Sequence, residues 1–592
     1  MKLQLLLPLF VNLFLFPKVD AVFQEASGPL HLRASGLAQS QAPVMKTMAA
    51  RQSVQADVAA AKPSPIFLHN WGGNFRFSTQ NIQYPTTVEE VQQIVQNAEK
   101  VRVMGTRHSF STIADSPDTI LSTLALKNII GFDADVPSVT VQAGITYTDL
   151  NPYLQYLGYA LPNQASLAEI SVAGASQTGA HGSGLAHQCL ATHIRSLQIV
   201  LPNGTLATYG PNDSEIKALA LGVGAFGVIT QVELNVEPTF NITDYVFLDM
   251  PTQNLYDNFD KLENMGYSVQ LLTDFSNPDV WGHIIVMDRS GSNSNIGNMQ
   301  SLYGATRATE KVRFIEALPP PYTMNQGVEQ PWYFGLVDYH LGLSGFDGAE
   351  IQTEYFVPYE NAVPAIKAVS TLSDLINPRV YVMLIRTIKG DDLWLSEMYS
   401  QSNVVGIHCT WKPNMTAVME VLPQLEELLK PYGAKPHWGK VFVQGPETFL
   451  CKYPKLAQFK ALAEQLDPTH KFRNDFLEEN VFANVTCPNC ADRVPLIAIS
   501  QQNTTILTDT LQEQYNTWTA SQKLGFNSVF NQVRKAIWDD VTFPNAATKI
   551  TNIVQYFLGY NKNDVEKQNL LMNITIDEWP GTIREFCDCG PG

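Results

Sequence analysis

The 592-residue chain is too long for one hydrophobic core, and its length predicts about three or four domains. Hydrophobic residues make up 45% and charged residues 16% of the chain, which is a globular composition and excludes a largely disordered protein. The net charge of −17 argues against nucleic acid or an acidic membrane surface as a partner and favours a small neutral substrate.

The first 21 residues have the pattern of a secretory signal peptide. Lys2 precedes an apolar stretch from Leu3 to Phe16, and Val19-Asp20-Ala21 is a small-residue cleavage site. A membrane-spanning helix needs about 20 apolar residues, so we predict no stable membrane anchor. Residues 22–65 are rich in Ala, Ser, Gln and Pro and are predicted to form a flexible leader.

Sequons and cysteines both agree with export from the cell. Seven N-x-S/T sequons follow the signal peptide and predict a secreted, extracellular glycoprotein: Asn203, Asn212, Asn241, Asn414, Asn484, Asn503 and Asn573. In a secreted chain, Cys487-x-x-Cys490 and Cys587-x-Cys589 predict two disulfides in the C-terminal segment, with open connectivity and at least one cysteine of the seven left over.

Residues 66–240 have mixed α and β patterns. Thr87-Val88-Glu89-Glu90 is a capping box that opens a helix with one apolar face. Strands are predicted at Val101–Met104 and Ser138–Gly144. Asn203-Gly204 lies between apolar runs and predicts a hairpin turn.

Residues 241–480 alternate strands with helices. The strands are predicted at Glu354–Val357 and Val380–Thr387, and the helices at Thr416–Lys430, with a kink at Pro423, and Lys455–Leu466. Residues 481–592 are richer in Gln and Asn, and we predict that they form a separate helical extension bracketed by cysteines.

Two glycine-rich turns are the first candidates for a ligand site. Gly105 ends a strand just before His108, and Ala165–Gly184 holds four glycines among Ser, Ala and Thr. Small residues let the backbone approach a ligand, and their N–H groups can cradle a pyrophosphate, although ordinary buried loops have the same composition. His108 alone fits a metal ligand, a general base or an attachment point for a cofactor. No H-E-x-x-H motif occurs, so we predict no metal site.

Several motifs in order extend this pattern over about residues 66–480. They are GTRHSF, LPNQASLAEISVAGASQTGAHGSG, GVGAFGVIT, QTEYFVP, DDLWLS, KPHWGK and LDPTHKFRNDF. Their order resembles the vanillyl-alcohol oxidase superfamily with its PCMH-type FAD-binding domain, and most closely its branch of alditol oxidases and sugar-1,4-lactone oxidases.

The resemblance implies an α+β fold and a flavin site. The FAD-binding domain would be a two-part PCMH-type domain at 66–240, and a substrate domain at 241–480 would hold a large antiparallel sheet flanked by helices. His108 would bond covalently to the 8α methyl of FAD. The other cofactor-binding residues implied are Gly105, Thr106, Arg107, Ser109, Phe110, Ser171, Gly174, Thr178, Gly179, Ala180, His181, Val228 and His437.

The resemblance also implies the residues that meet the substrate. Ser166, Arg386, Thr410 and Lys440 would bind it. Lys440 and Arg386 would stabilise a developing alkoxide, and His408 or Lys440 would take the hydroxyl proton. Purely structural roles remain open: Arg386 would then pair with Asp391 or Asp392, and His437 would only pack.

Leu384 departs from the resemblance, because the family usually has a glutamate there that grips substrate hydroxyls. Leucine accepts no hydrogen bond, so the preference for polyols is in question, and a less hydroxylated or more apolar alcohol becomes an alternative.

The expected function is that of a secreted FAD-dependent oxidoreductase. It would oxidise an alcohol group of a polyol, sugar or aldonolactone by hydride transfer, with O2 as acceptor and H2O2 as product. One alternative is a lactone dehydrogenase with another acceptor. A second is a binding protein with this fold that has lost turnover.

Overall fold

In a computed structural model of the chain, the structure describes residues 68–313, 323–324, 326–338, 348–400 and 402–485. The predicted signal peptide, the leader and all but the first five residues of the C-terminal extension lie outside this part of the chain. So do the four cysteines that bracket the extension. None of the helices in the described ranges has both the length and the apolar character needed to cross a bilayer.

The N-terminal half of the described chain holds three small sheets. A parallel sheet has the order β1-β3-β2, an antiparallel sheet has the order β4-β5-β9-β7-β8, and β6 pairs with β10. The strands are β1 (Ile82–Gln83), β2 (Val101–Met104), β3 (Thr119–Ser122), β4 (Ile129–Asp133), β5 (Ser138–Gln142), β6 (Tyr159–Ala160), β7 (Ile194–Val200), β8 (Leu206–Tyr209), β9 (Val228–Asn235) and β10 (Glu237–Pro238).

Local sequence signals explain the elements of this half. The Thr87 hydroxyl accepts from the Glu90 N–H and caps the first helix, as the capping box predicts. The predicted hairpin is confirmed, since β7 and β8 pair across a turn in which Gly204 has φ +81°. The helices are α1 (Val88–Asn97), α2 (Tyr147–Leu157), α3 (Val172–Gln177) and α4 (Ile216–Leu219).

The C-terminal half is built on one ten-stranded sheet. Nine strands follow the order β14-β15-β11-β13-β12-β20-β21-β19-β22, and β18 pairs with β11 beside this path. A separate pair joins β16 and β17. The strands are β11 (Asn241–Pro251), β12 (Ser268–Thr273), β13 (Val280–Arg289), β14 (Ser301–Leu302), β15 (Ala305–Arg307), β16 (Val312–Arg313), β17 (Thr323–Met324), β18 (Glu329–Pro331), β19 (Ile351–Pro358), β20 (Val380–Ile388), β21 (Val404–Trp411) and β22 (Lys435–Pro436).

Helices flank this sheet, as predicted. They are α5 (Thr252–Glu263), α6 (Trp332–Gly335), α7 (Ala362–Ser370), α8 (Ser373–Ile376), α9 (Met415–Leu429), α10 (Pro446–Phe449), α11 (Leu456–Leu466) and α12 (Asp475–Asn480). Helix α9 is continuous with Pro423 inside it, and it buries the apolar stripe Val418, Val421, Leu422, Leu425 and Leu429. The α+β fold with a large antiparallel sheet is therefore confirmed.

The end of the described chain returns to the first sheet. The Val101 N–H donates to Lys471 O, and the Arg102 guanidinium donates to Phe472 O at 2.6 Å. Asn474 donates to the carbonyls of Thr112, Ile113 and Asp115. The LDPTHKFRNDF motif thus holds the loop that follows β2, which carries the first candidate site residues.

Candidate functional site

The loop after β2 brings His108 to a cavity. Arg107 adopts a left-handed backbone conformation at φ +65°, and its carbonyl accepts from the Trp71 N–H at 2.7 Å. The Trp71 ring stacks on the His108 ring with 4.7 Å between centroids. His108 Nδ1 lies 2.9 Å from Thr106 Oγ1. Both residues line the cavity, so the ring is held in a defined orientation at its wall.

The second glycine-rich turn packs directly against this loop. A Cβ atom at Gly105 would lie 2.2 Å from Ser171 Oγ, and one at Gly174 would lie 2.7 Å from the same oxygen. Only glycine allows this approach. Ser171 Oγ is buried and has no hydrogen-bond partner within the described ranges. An orphaned hydroxyl in a cradle of glycines fits a polar ligand that supplies the missing partner.

The cavity gathers most of the predicted residues. It is lined by Gly105, Thr106, Arg107, His108, Ser109, Phe110, Ser166, Ser171, Gly174, Thr178, Ala180, His181, Arg386, His408, Thr410, His437 and Lys440. The two glycine-rich turns and the residues that the resemblance implies for substrate binding therefore line the same cavity.

Two predicted cofactor residues do not line the cavity. Val228 is fully buried in an apolar cluster with Val95 and Val200, while its neighbours Gly227 and Ile229 line the cavity instead. Successive side chains of a strand point to opposite faces, so a contact of Val228 with the cofactor would use its backbone, and this role stays a prediction. Gly179 has φ +73°, and a Cβ there would lie 2.2 Å from Glu397 Oε2, so the glycine leaves room for that carboxylate, while its contact with the cofactor stays a prediction.

Glu354 is the centre of the charged group and was not among the predicted residues. The side chain is fully buried on β19. Its Oε1 lies 2.8 Å from Arg386 Nη2 and 3.1 Å from His181 Nε2, and its Oε2 lies 2.8 Å from Lys440 Nζ. Burial alone raises the pKa of this carboxyl, but Lys440, Arg386, His181 and His408 outweigh burial and hold it well below its usual value.

Gly406 makes the Glu354–Arg386 ion pair possible. Strand β21 runs between β19 and β20, and Gly406 is the register partner of Arg386 on one side and Phe356 on the other. A Cβ atom at Gly406 would lie 3.0 Å from Glu354 Oε1. The missing side chain therefore lets the carboxylate and the guanidinium meet across the central strand.

His408 lies on the same face of β21 as Thr410, as predicted. Its Nδ1 accepts from Lys440 Nζ at 2.8 Å, and its Nε2 donates to Thr410 Oγ1 at 3.0 Å. Burial and the positive charge of Lys440 lower the pKa of His408 to about 3. The ring is therefore neutral, with its single lone pair engaged by the lysine.

Lys440 is held by the loop after β22. The His437 N–H donates to Glu354 O, and the Val441 N–H donates to Gln352 O, so residues 437–441 continue along the edge of β19. The same loop joins the His108 loop, because the Phe110 N–H donates to Gly439 O at 2.6 Å. Burial lowers the pKa of the Lys440 amine, and Glu354 opposes this shift.

His437 and His181 stand beside each other with 6.3 Å between ring centroids. His437 Nδ1 accepts from the Gly439 N–H, and burial lowers the pKa of His437 well below its usual value. His181 meets two acceptors, Gly182 O and Glu354 Oε1, and its pKa is lowered by burial. A neutral His181 donates to only one of them at a time.

The alternative partners of Arg386 are wrong. Asp391 accepts from Ser396 Oγ, and Asp392 pairs with Lys217, while Arg386 pairs with Glu354. The sequence did carry a signal for Glu354, since one acid inside the apolar run of the QTEYFVP motif predicts a buried carboxylate that needs cations.

Comparison with known proteins identifies the family of the chain. Residues 79–210 match the FAD binding domain family, and residues 349–480 match the D-arabinono-1,4-lactone oxidase family. An alditol oxidase from Streptomyces sp. is 34% identical over 417 residues, covering 69% of this chain and 98% of the relative. The chain belongs to the alditol oxidase and sugar-lactone oxidase family. It is an FAD-dependent enzyme that oxidises CH–OH groups.

One further relative supports the family, and one solved structure supports the fold. L-gulonolactone oxidase from Bos taurus is 25% identical, covering 70% of this chain and 98% of that protein. The solved structure of a cholesterol oxidase from B. sterolicum has a TM-score of 0.59 at 16% identity and covers 72% of this chain and all of that one. The second likeness shows that the two proteins share a fold.

Proposed function

We propose that the enzyme oxidises the alcohol carbon of an alditol, a sugar or an aldono-1,4-lactone. The observation that carries this proposal is the group of side chains around Glu354, which brings Lys440, Arg386 and a neutral His408 into the cavity that His108 also lines. Bound FAD supplies the acceptor for the hydride that leaves the carbinol carbon. The protein must therefore bind the alcohol, hold it in place and accept its hydroxyl proton.

Lys440 is the base in this proposal. His408, with a pKa lowered to about 3, is too weak a base at neutral pH, and its lone pair is already engaged by Lys440. Glu354 is a weaker base than an ordinary carboxylate, because its pKa is depressed. Burial lowers the pKa of Lys440 below the ordinary lysine value, so the amine loses its proton more readily than an exposed lysine does and is the strongest base of the three.

Arg386 and Ser166 position the substrate oxygen. Arg386 Nη1 donates to Ser166 Oγ at 3.3 Å, while Arg386 Nε is buried with no hydrogen-bond partner in the described part of the chain. A guanidinium held by Glu354 keeps its position and stabilises negative charge as the hydroxyl loses its proton. Thr410, fixed by His408, offers a hydroxyl on the same wall.

His108 attaches the flavin covalently in this proposal. The support is its placement at the cavity wall, stacked on Trp71 and oriented by Thr106. The pyrophosphate would lie along Thr106, Arg107 and the Gly174 turn, where Ser171 Oγ needs a partner.

Export, glycosylation and O2 as acceptor belong to the same proposal. Asn203, Asn212, Asn414 and Asn484 are exposed in the described structure, which suits glycan attachment. Cys451 is disulfide-bonded, which suits an oxidising compartment. O2 reaches a secreted enzyme without a partner protein, so peroxide is the expected second product.

Acid precipitation tests the covalent attachment. We expect flavin fluorescence in the washed pellet of the wild-type enzyme and only in the supernatant of His108→Ala. The control is His283→Ala, because His283 lies on β13 and is not among the residues that line the cavity. Flavin retained in the His108→Ala pellet would contradict the assignment.

A substrate and acceptor panel tests the reaction. We expect peroxide release with alditols or aldono-1,4-lactones in air. Turnover only with an artificial dye would support the dehydrogenase alternative. A lack of flavin reduction with every alcohol would favour the binding-protein alternative.

A further inference from the structure

A second carboxylate reaches the substrate side of the cavity. Asp338 lies among its lining residues, together with Ser166, Leu384 and Arg386. The Ser166 hydroxyl donates to Asp338 Oδ2, and Arg386 Nη1 in turn donates to Ser166 Oγ. The Asp338 carboxylate is thereby joined to the guanidinium of the proposed substrate site through a single hydroxyl.

The other oxygen of Asp338, Oδ1, is buried and accepts no hydrogen bond from the part of the chain that the structure describes. A buried carboxylate oxygen without a donor is costly, because that oxygen has lost its hydrogen bonds to water and has no replacement for them. A ligand hydroxyl donating to Oδ1 would remove this cost.

Leu384 stands on the wall where the resemblance implies a carboxylate. It lies two residues before Arg386 on β20, so both side chains share one face of the sheet and both line the cavity. The leucine offers no acceptor. Asp338 comes from a different segment, just after α6, and it brings an acceptor to the same lining.

We propose that Asp338 is a specificity-determining residue that accepts a hydrogen bond from a hydroxyl of a polyhydroxylated substrate and so replaces the carboxylate missing at Leu384. This inference rests on the proposed function and narrows it to substrates with a second hydroxyl beside the reacting one. It opposes the expectation that Leu384 shifts the enzyme toward apolar alcohols.

The test compares four holoenzymes: wild type, Asp338→Asn, Leu384→Glu and the double variant. We measure kcat and KM for a pentitol together with the thermal midpoint of each protein. Asp338→Asn should lower kcat/KM about 10- to 100-fold, mainly through KM, because the amide keeps one acceptor oxygen for two hydroxyl donors, Ser166 and the substrate. In the double variant, Leu384→Glu should restore most of the kcat/KM that Asp338→Asn removes.

Controls separate this inference from the proposed function. Wild type that fails to reduce its flavin with any alditol or lactone overturns both. Wild type that turns over, with unchanged pentitol KM in Asp338→Asn, overturns the inference alone. A fall in the kcat of Asp338→Asn that Leu384→Glu does not reverse in the double variant also overturns the inference alone. Asp374→Asn, the same change at an exposed position, should match wild type. If Asp338→Asn fails to fold, Asp338→Ser replaces it in the same comparison.

Discussion

At the scale of single residues, the site depends on one carboxylate that pairs with two basic side chains. Glu354 is fully buried, pairs with Arg386 and Lys440, and lies within hydrogen-bond distance of the neutral His181. A buried charge is stable only when it is paired, and removing one member of a buried group leaves the others exposed to the full cost of burial. Both the chemistry and the stability of the enzyme are therefore expected to depend on Glu354.

Glu354→Gln should lower kcat/KM by about 100-fold or more, because Arg386 loses its anchor and no longer stabilises the alkoxide. The free energy of unfolding should fall by about 3–5 kcal/mol, since Arg386 and Lys440 remain buried without their anion. Steady-state kinetics and denaturant unfolding measure the two effects. The exposed Glu360→Gln should change neither. Wild-type kinetics in Glu354→Gln would contradict the role of the cluster.

The pH dependence of turnover should identify Lys440. A base acts when deprotonated, so kcat/KM should rise with pH through the pKa of Lys440. That pKa should lie below the ordinary lysine value, because burial outweighs the attraction of Glu354. Lys440→Met should abolish this rising limb, and the exposed Lys311→Met should keep it. A rising limb that persists in Lys440→Met would assign the proton to another group.

The residues that the sequence failed to predict share one physical reason. Glu354 stands inside a quoted motif, but its partners come from β20 and from the loop after β22. Asp338 lies outside every quoted motif, and only the folded chain brings it to Ser166. Contacts between distant segments are invisible to local patterns.

At the scale of elements, local sequence patterns predicted several helices and turns correctly. The capping box, the hairpin turn and the apolar stripe of α9 each specify short-range geometry, and each appears where predicted. The order of strands in the ten-stranded sheet was not predictable from such signals, because β12 and β20 are neighbours although about a hundred residues separate them.

Helix α5 meets β20 through a buried acid that makes stability depend on pH. Glu263 accepts from Thr387 Oγ1 at 2.7 Å, and burial raises its pKa to about 8. The folded protein therefore keeps a proton that the unfolded chain has lost at lower pH. Its contribution is present below the unfolded pKa and is lost as the pH rises toward 8.

Glu263→Gln should remove this dependence, because the amide does not titrate. Between about pH 5.5 and 7.5, the free energy of unfolding of wild type should fall relative to the variant by about 1.4 kcal/mol per pH unit. Denaturant unfolding at several pH values measures this difference. Parallel curves for the two proteins would show that Glu263 is ionised in the folded state, and the surface variant Glu360→Gln should parallel wild type.

At the scale of the whole molecule, the two halves of the described chain are joined where the chemistry requires it. The KPHWGK loop bonds to the His108 loop, and Asn474 bonds to three carbonyls beyond it. The proposed flavin attachment and the proposed base are thereby fixed relative to each other, which is what hydride transfer at a defined distance demands.

Asn474→Asp should test this connection. The aspartate keeps the oxygen that caps the Leu477 N–H, but it loses the amide donor and sets an anion against three carbonyls. The free energy of unfolding should fall by about 3 kcal/mol in Asn474→Asp. It should fall less in Asn474→Ser, because serine adds no charge. Equal stability of Asn474→Asp and wild type in denaturant unfolding would contradict the account.

Anaerobic flavin reduction tests the central claim most directly. Purified holoenzyme is mixed without O2 with alditols and aldono-1,4-lactones, and the flavin absorption band is followed with time. We predict that the band bleaches in wild type with at least one of these polyols and that Lys440→Met bleaches far more slowly at neutral pH. An unbleached band with every polyol, or equal rates in both proteins, would contradict oxidation of CH–OH groups at the Glu354 cluster.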